Sequence, residues 1–422
     1  MLWLHISNRE VLSSVAHRPL VSVSIVLLSL LWGDVGRGES LVQRLEDQPE
    51  NSWLAIEPET SQRLVLKHRS EDSEVMEVKS REPAFREYTS PALGAGKIFY
   101  FGGGHSGYFG NDVEIFDPAT NVWRQCYRPV CPPKDDSTYY SGGSERSYVD
   151  SATGAGQPYV LHGYARTGFD PRLNRYVCTV MFPAEVQRDE KTGKWRLARQ
   201  AFSYIGFDAK TNKWELLSEV PDALKPGSTS LSYDADLGDM VAFSGRAAYR
   251  FTSGKWEPLG SSTASLAASG GASAVYLPQQ AAHLVAVLGH GGAKETGSLS
   301  LFDVKAKVGR PGPALPDALK RRVAAGTGGY NLIASYDSRQ QKVVVMSVND
   351  ELRPDVWTYD PAADTWRQLA IPSSAPKLMG VFEPGRGRAP LMYDADRNVF
   401  YLLYRDGEAA KLWAYRLATA GK

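Results

Sequence analysis

The chain has 422 residues, of which 43% are hydrophobic and 23% charged. That is enough apolar material for a sizeable core. Lys and Arg number 48 against 47 Asp and Glu, a formal charge of +1, so nothing points to a nucleic-acid surface. Lys320–Arg322 reads as a local, solvated patch. Aromatics at 11% and 39 glycines suit many strands and tight turns better than helices.

In chain order, residues 1–38 read as a targeting segment. Leu20–Trp32 (LVSVSIVLLSLLW) is uncharged and mostly apolar, with Arg9 and Arg18 before it. It is short for a bilayer span, which needs about 20 residues, and suits the apolar region of a signal peptide. The expectation is an exported protein, periplasmic or extracellular. Contact with a membrane is expected only through an uncleaved N-terminal anchor, the alternative to cleavage.

Residues 39–81 are a polar N-terminal segment and linker, interrupted by NSWLAIEP (51–58), which has the character of a Trp-bearing strand. From 82 to 417 one phrase recurs. Its clearest copy is Lys97–Trp123, KIFYFGGGHSGYFGNDVEIFDPATNVW. It reads as an apolar strand, a glycine run, a polar loop, a second strand, a two-acid turn and a Trp. Degenerate copies are Gly206–Trp214, Leu231–Trp256, Ser335–Trp366 and Leu391–Trp413. A repeat of about 40–55 residues carrying four short strands predicts a blade of a β-propeller.

The predicted blades are 82–125, 157–217, 227–258, 269–310, 324–368 and 386–417. The last lacks a fourth strand, so Ser52–Ile56 is expected to complete it and close the ring, since an open ring leaves two sheet edges unpaired. Six blades are favoured. Seven are the alternative, because Trp195, in the 184–200 insertion, could belong to another strand pair. Residues 418–422 are a tail. Within a copy, runs such as Val343–Met346 are buried inner strands, the Asp-Pro turns at 117 and 360 separate outer strands, and the Trp wedges between blades.

The pattern YFGGG…NDVEIFDPATNVW, with first strands such as YDADRNVFYLLY, resembles the kelch repeat and the kelch and galactose-oxidase type of propeller. The resemblance implies an all-β, kelch-type propeller. It implies little about activity, since such propellers include binding scaffolds, oxidases, epimerases and lyases.

Alternating strand directions place the connections after strand two and before strand one on one face. His105, following the glycine run, His290 and His162 are all expected at that mouth. His162, Tyr164 and Arg166 alternate and are read as sharing one side of a first strand. Arg86 and Tyr88 enter the first blade, Tyr108 follows its glycines, and Arg388 enters the sixth. Such a mouth suits an anionic or hydroxylated ligand, because Arg forks hold carboxylates and Tyr stacks on sugars.

Three readings follow. The favoured one is a scaffold that binds an extracytoplasmic glycan or protein through His105, Tyr108, Arg86, Tyr88, His290 and Arg388. The second is a carbohydrate-active enzyme, foremost a polysaccharide lyase. There Arg166 neutralises a uronate and His162 or Tyr164 moves the proton. The third is a zinc or copper site on His105, His162 and His290. No cofactor is favoured. A galactose-oxidase type of copper site has the residue types but no local motif that fixes them. Of three cysteines, Cys126 and Cys131 read first as a short-loop disulfide, with a metal pair or free thiols as alternatives, and Cys178 as buried filler.

Overall fold

The computed structural model describes residues 39–67, 74–103, 108, 110–130, 145–160, 163, 165–224, 229–266, 272–287, 298–325, 333–378 and 391–419. The chain from Leu41 onward forms one compact unit.

It begins with helix α1 (Leu41–Glu46), strand β1 (Ser52–Ile56) and the hairpin of β2 (Ser61–Leu66) and β3 (Val75–Ser80). Six four-stranded antiparallel units follow among the described residues. The first is β4 (Ala92–Gly94), β5 (Lys97–Tyr100), β6 (Glu114–Asp117) and β7 (Val122–Gln125). A separate hairpin, β8 (Glu145–Val149) and β9 (Gly156–Val160), precedes the second: β10 (Thr167–Asp170), β11 (Arg175–Arg188), β12 (Trp195–Asp208) and β13 (Lys213–Glu219). The third is β14 (Thr229–Asp234), β15 (Asp239–Ser244), β16 (Ala247–Thr252) and β17 (Lys255–Ser262).

The fourth unit is β18 (Ala272–Leu277), β19 (Ala282–Val287), β20 (Ser298–Asp303) and β21 (Val308–Pro311). Helix α2 (Asp317–Ala325) leads to the fifth: β22 (Ile333–Asp337), β23 (Lys342–Val348), β24 (Pro354–Asp360) and β25 (Thr365–Gln368). The last is β26 (Leu391–Asp394), β27 (Val399–Asp406) and β28 (Ala409–Arg416), and its fourth strand is β1, paired from Ser52↔Arg416 to Ile56↔Leu412. Strand one of each unit touches strand one of the next, and β26 touches β4. This is an all-β propeller.

The core is distributed between blades, as the apolar inner strands require. One cluster joins Tyr100, Phe116 and Trp123 of the first blade to Val399, Tyr401 and Leu412 of the last. Another sets Trp214 of the second blade against Phe101 of the first, ring centroids 4.8 Å apart. Trp256 of the third meets Tyr204 of the second at 5.1 Å. Here each indole does wedge between blades. At the seam of the third and fourth, β17 and β21 pair in parallel over Ser261↔Val308 and Ser262↔Gly309. Two glycines allow this approach: a Cβ on Gly260 would lie 2.1 Å from the Lys307 carbonyl, and one on Gly309 2.2 Å from Ser262 Oγ.

The two faces differ. One, the turn face, carries the strand one–two and three–four connections, none longer than four residues. Most begin with Asp and reach a left-handed residue four positions on: Asp170/Asn174, Asp234/Gly238, Asp337/Gln341 and Asp394/Asn398 for the first hairpins. The Asp Oδ1 accepts backbone N–H groups of the turn, which explains the recurrence of the residue. The other, the loop face, carries the longer described segments: 126–130 and the β8–β9 hairpin, 312–325 with α2, 369–378, and the overhang of β11–β12.

The structure corrects the start of the second blade and bears out the 184–200 insertion within it. Residues 157–160 belong to β9, so the second blade starts at Thr167. Trp195 begins β12 and sits over the β8–β9 turn, where a Cβ on Gly154 would lie 2.9 Å from its ring. The 184–200 insertion is therefore an extended hairpin within the second blade.

Candidate functional site at the loop face

The loop face enters the first blade along residues 81–91. This segment is fastened to the β27–β28 turn: Phe85 N donates to the Glu408 carbonyl at 2.8 Å and Ala410 N to the Pro83 carbonyl at 2.9 Å. Buried Glu87 accepts Arg405 Nη1 at 3.2 Å.

Arg86 is 1% exposed. Its Nη2 lies 2.9 Å from Asp112 Oδ2, and its Nη1 donates to the Gly110 carbonyl at 2.8 Å. The guanidinium rests 4.7 Å from the Tyr108 ring and 5.5 Å from that of Tyr100. Gly103 (φ +98°) admits it, since a Cβ there would be 2.5 Å from Arg86 Cβ. The expectation that Arg86 offers a fork to a ligand is thus corrected: its fork is occupied inside the blade. Burial pushes the Tyr108 hydroxyl far above its ordinary range, and neighbouring Asp112 adds to this while Arg86 opposes it.

Arg166 is 2% exposed. Its Nη1 donates to the Thr179 carbonyl at 3.2 Å and its guanidinium lies 5.7 Å from the Phe202 ring. It precedes β10 rather than lying within it. Tyr88 is half-buried with a left-handed backbone, φ +54°. His105, His162, Tyr164, His290, Arg388 and Cys131 lie outside the described residues. Cys126 is a buried free thiol whose pKa burial pushes up to about 12. Cys178 is buried in the core as expected. Among the described residues no group of three or more His, Cys, Asp or Glu could hold a metal.

Sequence reasoning missed Arg63, Asp112 and Glu114. Arg63 on β2 reaches into the first blade, its Nη1 2.6 Å from Glu114 Oε2, both side chains almost fully buried. Gln125 links the network, bridging the Leu64 carbonyl and Asp112 Oδ2, each at 2.8 Å. Two arginines and two carboxylates therefore lie together under the loop face. Burial pushes Glu114 up to about 7; Arg63 opposes the shift and Asp112 adds to it. The available signal was the pair of acids two apart in NDVEIF, at the entry to an apolar strand. Above them a cavity of about 320 Å³ opens between β2–β3 and the β27–β28 turn, with Glu82, Asp406 and Glu408 at its edge. A carboxyl that keeps its proton near neutrality can donate as well as accept a hydrogen bond there.

A model of the kelch motif matches residues 86–126, the first blade together with its Arg86–Asp112 pair. No curated protein matches the sequence. Among solved structures, an oligogalacturonate lyase in complex with manganese is similar at a TM-score of 0.40 and 10% identity, over 86% of this chain and 98% of that one. TolB from Acinetobacter baumannii is similar at 0.34 and 11%, over 72% and 76%. A putative TolB from Agrobacterium tumefaciens is similar at 0.32 and 13%, over 50% and 64%. None of these likenesses carries an activity to this chain. The chain is an all-β propeller whose first blade matches the kelch motif.

Proposed function

We propose that this protein is an exported propeller that recognises an extracytoplasmic glycan on its loop face. The asymmetry of the two faces carries the reading. Turn-face connections stop at four residues, while the long segments gather on the opposite face. Long loops on a rigid scaffold are where binding surfaces are built. The apolar stretch Leu20–Trp32 supports export. Arg86 and Arg166 are consumed by internal bonds, which favours binding over the lyase chemistry that would need a free arginine against a uronate.

Calorimetric titration of residues 39–422, secreted from an expression host, with neutral and acidic polysaccharides tests this. Saturable binding to one of them, weakened at least about ten-fold by Tyr164→Ala or Arg388→Ala, is expected. Binding to none, or binding indifferent to both substitutions, overturns the proposal.

A further inference from the structure

On the turn face the first blade departs from the others. Where four blades carry a four-residue turn opened by Asp, β4 and β5 are joined by Ala95 and Gly96 alone. Beside this short turn, the seam between the first and second blades opens into a groove of about 780 Å³. That is within the range of small-molecule sites, about 300–1,000 Å³. Its floor is apolar: Phe99, Ile115 and Phe169 line it, with the Phe99 and Phe169 centroids 5.6 Å apart. Gly94 makes this floor possible, because a Cβ there would fall 1.9 Å from the Phe169 ring.

The rim is positive. Lys97 is held by Asp117 at 2.6 Å, and Asp208 by Arg175 at 3.2 Å. Arg124 and Lys210 line the same groove with no carboxylate partner among the described residues. Arg124 crosses the seam, donating to Asn212 Oδ1 at 2.9 Å and to the Ala209 carbonyl at 3.2 Å. Each terminal nitrogen is used once and Arg124 is exposed, unlike Arg86, so three of its five N–H donors stay open to a ligand. The second cation, Lys210, follows Ala209 directly and is exposed.

We propose that this groove is a second binding site, distinct from the loop face, for a small aromatic anion. Its ring lies along Phe99 and Phe169, and its carboxylate or sulfonate meets Arg124 and Lys210. An apolar floor beneath an unbalanced pair of cations complements such a molecule in shape and charge.

Fluorescence titration of residues 39–422 with 8-anilinonaphthalene-1-sulfonate tests the site, with uncharged N-phenyl-1-naphthylamine as the comparison. One saturable site is expected, tighter for the sulfonate. It should weaken about ten-fold or more in Arg124→Gln/Lys210→Gln, with the neutral probe unaffected. Ala209→Trp, at a half-buried turn position that lines the groove and packs against the edge of the inter-blade core, should abolish both signals; far-UV circular dichroism verifies that each variant folds. A sulfonate signal unchanged in Ala209→Trp places the dye elsewhere and overturns the proposal. Equal affinity for the two probes removes the role of the cations and overturns it as well.

Discussion

His283 of β19 and Asp234 at the end of β14 join the fourth blade to the third: Nε2 lies 3.1 Å from Oδ2, and both side chains are fully buried. Nδ1 lies 3.2 Å from Ser232 Oγ, so both ring nitrogens have a partner on the neighbouring blade. Phe243 and Tyr276 enclose the ring, with centroids 5.1 and 5.0 Å away. Fully buried, this Ser–His–Asp arrangement is a clasp between blades. Comparable links occur along the turn face, where Arg172 reaches Asp239 at 2.7 Å and Arg339 the Asp396 carbonyl at 3.0 Å.

This clasp makes stability depend on acid. Burial lowers the His283 pKa below its ordinary value, and Asp234 only partly offsets this. The unfolded chain therefore binds that proton first, and stability falls as pH drops below about 6.5. Burial would raise Asp234, but the bond from His283 and the turn N–H groups hold it below the usual carboxylate range. Its contribution is lost at lower pH still. Urea unfolding from pH 8 to 5 should show the decline. His283→Ala should remove about 3–5 kcal/mol by leaving Asp234 buried without its partner; a loss under about 1 kcal/mol contradicts the clasp.

Glu114 acts with the opposite sign. Its folded pKa, about 7, exceeds the ordinary value of about 4.3, so the folded state binds the proton more tightly and loses stability as pH rises between the two. Infrared spectroscopy should show a protonated-carboxyl band fading near pH 7 in the wild type. The same band should be missing from Glu114→Gln. A band unaltered by that substitution assigns the proton elsewhere.

Arg86→Ala separates structure from binding. Removing one member of a buried pair costs about 3–5 kcal/mol, so thermal unfolding should shift down clearly. Glycan affinity per folded molecule should not change, because the guanidinium faces Asp112. An affinity loss without a stability loss would return Arg86 to the ligand site.

Strand β1 should be indispensable to the fold. It contributes Trp53, 5% exposed, whose ring lies 4.8 Å from that of Tyr415. Deleting residues 39–60 exposes the edge of β28 and should abolish cooperative unfolding. Trp53→Ala should cost about 3–5 kcal/mol. Unchanged melting of the deletion variant would sink the proposal that this strand closes the ring.

The glycan reading calls for no metal. Elemental analysis of protein recovered without chelator should find neither zinc nor copper in stoichiometric amount. Near one equivalent of either would favour the reading of His105, His162 and His290 as metal ligands.

The propeller was legible because its signals are local. Asp-Pro turns at 117 and 360 follow apolar strand runs in the sequence, and SWLAI is a strand phrase missing from the C-terminal copy. The site was less legible because its partnerships are distant in sequence. Arg86 meets Asp112 26 residues on, and Arg63 meets Glu114 51 residues on. An Arg before a strand looks alike in sequence whether its fork faces solvent or a buried carboxylate. The β8–β9 hairpin misled for a related reason: QPYVL has the pattern of an inner strand, but its partner is β8, not β11.

Hydrogen–deuterium exchange, with and without the glycan identified by titration, tests the central claim most directly. Protection is predicted in the loop-face segments 81–91, 126–130, 145–160 and 369–378, with the Asp turns at 170–174, 234–238, 337–341 and 394–398 unchanged. Protection confined to those turns, with the loop face unaffected, would contradict the assignment of the working face.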